Sequence, residues 1–335
     1  MAHPNTPSHG WRPSRRHLIA SAGAALAAPW VGAHAQAKIA AGKPITLVVS
    51  YPPGGGADLM ARTIAPKLEA ALGQTVVVEN KAGASGQLAA GHVARATADG
   101  SVLLLDASSF AVNPSLFPKL PYDTATAFTP LAVLATFPNV LVCTPSFEAK
   151  SVKDVIRLAK AGPLNYASSG SGSAQHLAGA LFEQRAGVSL THVAYRGGGP
   201  AMNDVMGGQV PLFFANVASS LGHIQSGRLR ALAVTSALRA RSLPEVPTMA
   251  EAGVAGYEVL EWNPILAPAG LPADTKAALV AGIRRALEDA EVLGRIRQLG
   301  GDVFADASQQ SAGKFIAAQQ ALWAKVIKER NITTG

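Results

Sequence analysis

ITLVVSYPPGGGADLMARTIAPKLEAAL, residues 45–72, decides the fold. Ile45, Thr46, Leu47, Val48 and Val49 form a short β-branched and apolar run, which suits a strand buried on both faces. Residues 51–56, YPPGGG, then break all periodicity: the prolines cannot donate, and the glycines can take φ > 0. From Ala57 the pattern turns helical, with Met60, Ile64, Leu68 and Leu72 on one face and Pro66 expected to kink the run. Strand, glycine turn and helix follow one another. Such a turn leaves unpaired N–H groups at the positive end of a helix and removes the side chains that would keep an anion away. It suits phosphate or carboxylate, or else is a tight βα turn with no ligand. Neither G-x-G-x-x-G nor G-x-x-x-x-G-K-[ST] occurs there.

The whole chain sets bounds on this reading. At 335 residues, 48% hydrophobic and 15% charged, it buries a substantial core in one large or two ordinary domains. The net charge is +8, but Arg12, Arg15 and Arg16 lie in an acid-free stretch, and removing them leaves +5 from Lys38 onward. The remaining charge is scattered, which argues against a nucleic-acid partner. A mild positive balance is compatible with small anions. The single cysteine, Cys143, excludes an intrachain disulfide, and its place after Val140, Leu141 and Val142 reads as a buried strand position. His92, His192 and His223 are isolated, so neither a metal nor a cofactor is expected.

Residues 1–37 read as an export signal. Arg15 and Arg16 precede an apolar run over 18–31, and Ala33, Ala35 and Ala37 offer A-x-A cleavage points. That run is too short to span a bilayer. SRRHLI, residues 14–19, resembles a twin-arginine signal, with an ordinary Sec signal as the alternative. The mature protein is expected to be periplasmic, outside the membrane and monomeric.

Strand patterns at 76–78 and 102–105, with a helix over 87–96, complete a βαβαβ unit and predict parallel strands. Residues 113–130 read as a covering loop with short helical turns, and 131–135 and 140–143 as two strands interrupted by Pro138. A second alternation follows: helix 152–161, strand 164–167, the turn SSGSGS at 168–173, helix 174–185, strand 190–194, RGGGP at 196–200, helix 202–206, and strands 210–214 and 232–235. Residues 257–262 look extended. Helices are expected over 272–299 and 308–329, the last with Phe315, Leu322, Trp323, Val326 and Ile327 as its apolar face.

Two α/β halves with a small-residue turn in each imply a cleft that closes on a ligand. Ligands of open α/β sheets sit beyond the C-terminal ends of the strands. The candidates there are Tyr51, Gly54, Gly55, Gly56, Ser85, Ser108 and Ser109 from the first half. The second half supplies Ser168, Ser169, Gly170, Ser171, Gly172, Ser173, the loop 195–199 with Arg196, and Asn216. Hydroxyls and amides with one cation suit a small carboxylate. Asp58 either caps the first helix or reaches the ligand. His176 either faces the ligand or satisfies a core hydrogen bond. Arg196 either meets the ligand or pairs at the surface. No G-x-S-x-G elbow surrounds the serines, which argues against a serine hydrolase and assigns no catalytic residue.

Seven stretches in one order carry a family resemblance: YPPGGGADLMAR (51–62), VVVENKAGASG (76–86), ADGSVLLL (98–105), NYASSGSGSAQHLAG (165–179), HVAYRGGGPAMND (192–204), GRLRALAVTSALR (227–239) and LPEVPTMAEAG (243–253). The mature chain resembles the Bug-type receptors of tripartite tricarboxylate transport. The resemblance implies an α/β, two-lobed periplasmic-binding-protein fold of type II character, two doubly wound domains joined by extended hinge strands. Lobe one is then 38–138 with 259–335, and lobe two 139–258. It also implies no catalysis and a membrane permease as partner, or a signalling partner in those members that act as sensors. Ligand loops carry over to Gly54, Gly55 and Gly56 and to residues 168–173, gripping carboxylates partly through ordered water. Ala194 and Arg196 replace the proline and lysine frequent in the family, and Ala215 stands where many relatives carry aspartate. The last change is expected to favour a ligand without an ammonium group.

Overall fold

The computed structural model describes residues 1, 2, 39–330, 332 and 333; the export-signal reading of 1–37 lies almost wholly outside them. Ala37–Gly335 forms one compact unit. Its first half grows from β1 (Ile45–Val49), where Ile45, Leu47, Val48 and Val49 are wholly buried. Helix α1 (Gly56–Leu72) follows and ends on Gly73 in the left-handed region. It runs on through Pro66 because that residue faces solvent, where water can take up the carbonyl that the ring leaves unpaired. β2 (Val76–Asn80) and β3 (Val102–Leu105) flank β1 in parallel, with α2 (Gln87–Ala94) between them.

Two expectations are corrected in the next stretch. Residues 113–130 do not stop at short helical turns: α3 (Ser109–Leu116) is a full helix that passes through Pro114 and buries Phe110, Ala111 and Val112. Nor does Pro138 interrupt a strand. β4 is a single run, Phe128–Cys143, and Pro138 falls where its partners change. Before it, β4 pairs with β9 (Leu260–Pro268) and β10 (Asp302–Val303); after it, with β7 (Leu212–Asn216) and β8 (Arg230–Val234). A missing N–H costs little where no single ladder continues.

The second half contains α4 (Val152–Ala161), β5 (Asn165–Ser168), α5 (Ala174–Ala186), β6 (Thr191–Ala194), α6 (Gly198–Met206) and α7 (Val217–Gln225). The strand path is β2-β1-β3-β9-β4-β7-β5-β6, with β10 and β8 paired to β4 off that path. β4 thus belongs to both halves. Thr235 fastens the crossing: its Oγ1 accepts the Asn139 N–H at 2.8 Å and donates to the Val259 carbonyl at 2.6 Å.

Helices cover both faces of each half. α8 (Ala273–Glu288) and α9 (Ala290–Gln298) pack with α1 on one face of the first half, around Leu68, Leu279, Ile283 and Ile296. The expected helix over 272–299 is therefore two, because Asp289 takes an extended backbone and caps the second. α10 (Gln309–Arg330) straps both halves: Ala312 and Ile316 join the cluster around Trp262, and Trp323 and Ile327 join the one around Phe214. Leu322, expected on its apolar face, is 49% exposed.

Candidate functional site

The glycine turn after β1 is organised by its own acid. Gly54 (φ +79°) donates its N–H to Asp58 Oδ2 at 2.9 Å, and Asp58 also accepts from Asn80 Nδ2 at 2.9 Å and Arg62 Nε at 3.0 Å. Burial pushes the Asp58 carboxyl up, but those donors outweigh it and hold the group below its ordinary range. Asp58 therefore shapes the turn and lines neither cavity of the cleft, and the Gly54 amide is already spent. Gly55, the N-cap, together with Gly56 and Ala57, lines the cleft. The first amides of a helix have no acceptor within it.

From the other half, Ser173 caps α5 by accepting the His176 N–H at 3.2 Å, and Asn216 caps α7 by accepting the Ala218 N–H at 2.8 Å. Both line the same cavity as Gly55 and Gly56, together with Ser169 and Gln175. Four helix N-termini from two halves, with Gly198 opening α6 as the fourth, thus meet in one small space of about 20 Å³, room for one water-sized group. Tyr51 and Ser169 also border a second cavity of about 670 Å³, whose wall includes Ser85, Gly170, Ser171 and Arg196. Arg196 is exposed there and has no ion-pair partner among the described residues. A groove of about 770 Å³ lies elsewhere, between α8 and the segment after β10, and contains none of the glycine turns.

The halves touch across the cleft. Ser85 Oγ donates to the Ser171 carbonyl, and the Ser85 carbonyl accepts from Asn113 Nδ2 at 2.9 Å. Gly197 (φ +116°) lies against Pro52, where a Cβ would come within 2.3 Å of the ring.

Several expected site residues point elsewhere. Ser109 is buried and its Oγ accepts from the Tyr51 hydroxyl at 3.0 Å; Ser108 is buried beside it and lines neither cavity. Ser168 is wholly buried, with His192 Nε2 2.6 Å from its Oγ. Gly172 packs toward Leu116 and Asn113. Its N–H donates at 3.1 Å to Nδ1 of His176, which stacks on His192 at 3.9 Å between centroids. His176 is thus a brace under the loop, and the pair stays neutral. Burial, then the neighbouring ring, lowers His176 to about 3, and burial lowers His192 to about 4. These side chains turn inward because they sit at strand ends and in the first helical turns, where alternation and capping decide direction.

The sequence reading missed Gln175, Glu261 and Asp106. Glu261 is 6% exposed at the start of β9 and lines the small cavity; Gln175 Nε2 donates to its Oε2 at 2.6 Å and to Asn139 Oδ1 at 3.0 Å. Burial raises its carboxyl, partly offset by Asn216 and Gln175. The signal was a lone acid in the apolar run LEWNPILAP. Ala215, from which a ligand without ammonium was inferred, is wholly buried in the core and lines neither cavity. It therefore reports nothing about charge in the cleft, where Glu261 supplies a carboxyl. Asp106, at the end of β3, accepts from Ser50 Oγ at 2.5 Å and the Ala107 N–H at 2.8 Å, and burial raises it to about 7.

Residues 60–332 match the family described as the tripartite tricarboxylate transporter family receptor. The chain belongs to that family. BugT of Bordetella pertussis is 36% identical over 316 residues, covering 93% of this chain and 97% of its own. Among solved structures, the periplasmic binding protein BugD superposes with a TM-score of 0.83 at 34% identity, over 87% of this chain and 98% of its own. Rpa4515 of R. palustris, solved with adipate, gives 0.83 at 36% identity over 87% and 98%. The receptor shares their two-lobed α/β fold and is a solute-binding protein, not an enzyme. Among its described residues no helix is long and apolar enough to cross a membrane.

Proposed function

We propose that this receptor captures a small di- or tricarboxylate, or an aromatic carboxylate, by closing two lobes over it in the periplasm, and delivers it to a membrane permease of the tripartite tricarboxylate type. The lobes are 38–138 with 259–335, and 139–258, hinged where β4 crosses at Pro138 and where the chain returns just before β9. One observation carries the reading: the N-termini of α1, α5 and α7, drawn from both halves, face a single cavity. Their amides converge only when the lobes meet, so an anion bound between them favours the closed state. Gly55, Gly56, Ser169, Ser171, Ser173 and Asn216 form the contact set, and Arg196 at the rim of the larger cavity is the cation that meets a second carboxylate. The adipate complex of Rpa4515 supports a carboxylate ligand. Asp58, Ser108, Ser109, Ser168 and His176 hold the loops in place. The test is a thermal-shift screen of carboxylic acids against their amides and alcohols, followed by calorimetry. A melting temperature raised by the acids alone is expected; no shift with any acid refutes the reading.

A further inference from the structure

The small cavity is lined by hydrogen-bond donors and by a single acid. The helix amides of α1 and α5, the Ser169 and Ser173 hydroxyls and the Asn216 carboxamide can donate, whereas both N–H groups of the Gln175 carboxamide are taken by Glu261 and Asn139; Glu261 brings a carboxyl to the same space. Gln175 occupies its Oε2. The groups facing it are Asn139 from β4, Gln175 from α5, Asn216 and Ser219 from the start of α7, and Tyr51 from the turn before α1. Beyond Tyr51 lies Asp106. The titratable members of this set are Tyr51 and Asp106, and neither is a cation. Among the described residues no Lys, Arg or His pairs with Glu261.

An ionised carboxylate buried without a cation is strongly disfavoured, and more so when an anionic ligand enters beside it. Two ways out exist. Either the ligand brings its own cation, or Glu261 takes a proton. A single proton turns the one repelling group of the cavity into another donor and leaves the surrounding donors aimed at the anion.

We propose that Glu261 is a specificity-determining residue of this site: on lobe closure it takes a proton from solvent and donates that hydrogen to a ligand carboxylate. The inference rests on the carboxylate reading above. The one bond made is the Glu261 O–H: its proton comes from solvent with each ligand and returns there when the lobes reopen. The ligand selected is a carboxylate without an ammonium group, because an ammonium would demand the ionised form of Glu261.

Calorimetry with succinate, adipate, benzoate and glutamate as probes, from pH 5.5 to 8.5 and in two buffers of different ionisation enthalpy, tests this. For the plain carboxylates that bind, affinity should fall by up to about tenfold per pH unit on the alkaline side, with close to one proton taken up per ligand. Glu261→Gln supplies a donor that does not titrate, so the pH slope and the buffer-dependent heat should disappear. Glu261→Leu supplies none and should weaken binding at every pH, by tenfold or more. Asp106→Asn should leave the slope in place. Thermal melts of each variant establish that it is folded.

The inference is overturned if Glu261→Gln binds as poorly as Glu261→Leu, or if the slope survives Glu261→Gln and vanishes in Asp106→Asn. It is overturned equally if glutamate alone binds, or if plain carboxylates bind without pH dependence. Those outcomes leave the carboxylate receptor standing. Absence of binding by every acid in the wild type would refute that reading as well.

Discussion

Gly56 and Asn216 meet across the cleft so closely that a methyl group on Gly56 would lie 2.9 Å from the Asn216 carboxamide carbon. The first residue of one helix and the cap of another, from opposite halves, have no room between them for a side chain. Gly56→Ala should therefore wedge the lobes apart. Overpacking by one methyl costs about 1–3 kcal/mol, and 1.4 kcal/mol is tenfold in affinity. Affinity for the carboxylate found by screening should fall about tenfold or more. The ligand-free melting temperature should hardly move, since alanine suits a helix better than glycine. Calorimetry and thermal melts on one preparation decide it, and unchanged affinity refutes the close contact.

Gly55 separates charge from bulk. Its Cβ position meets only the Pro52 carbonyl, at 3.4 Å, and its φ of −77° accepts any residue. Aspartate there is a good N-cap, worth about 1 kcal/mol to the helix. It also places a carboxylate where the ligand's should lie. Gly55→Asp should abolish binding while the ligand-free protein melts at the same temperature or slightly higher. Gly55→Asn, similar in shape but uncharged, should lose less.

Arg196 stands exposed at the mouth of the larger cavity. A solvated charge there acts over a Debye length and contributes to encounter more than to residence. Arg196→Gln should slow association severalfold, flatten its salt dependence and weaken dicarboxylates more than monocarboxylates. Stopped-flow binding at two ionic strengths reads both effects.

How much of this was legible follows from the range over which each feature is set. The strand–turn–helix units could be read because periods of two and 3.6 are local. The two small-residue turns were legible as turns that open helices for the same reason. Glu261 was not, because its neighbours are set by register: β4 places Phe137 opposite it, and Gln175 arrives from another half of the chain. Leu322 was assigned to the wrong face because buried Trp323 is adjacent in sequence, and one residue is about 100° around a helix. The serines at 108 and 109 have the composition of a ligand loop, but a hydroxyl's direction is settled by packing, and Tyr51 claims Ser109.

The buried titratable groups pull the pH dependence of stability in opposite directions. His176 and His192, lowered to about 3 and about 4, bind fewer protons folded than unfolded. Their contribution is complete above the unfolded value of about 6.5 and is lost as pH falls toward 4, by at most about 1.4 kcal/mol per unit for each. Asp106, raised to about 7, binds more protons folded, so its contribution is complete below about 4 and is lost as pH rises to 7. Between pH 4 and 6.5 the two trends oppose each other, and the wild type should keep about half of the acid decline that the two histidines alone would give. Asp106→Asn keeps an acceptor for Ser50 and Ala107 and removes the titration. It should be more stable than wild type at pH 8, lose that advantage as pH approaches 4, and show the steeper acid decline of the histidines alone. Urea denaturation at pH 4.5, 6 and 8 measures this. A constant offset between the two proteins across that range would mean that Asp106 enters the fold already ionised, and the argument from its burial would fail.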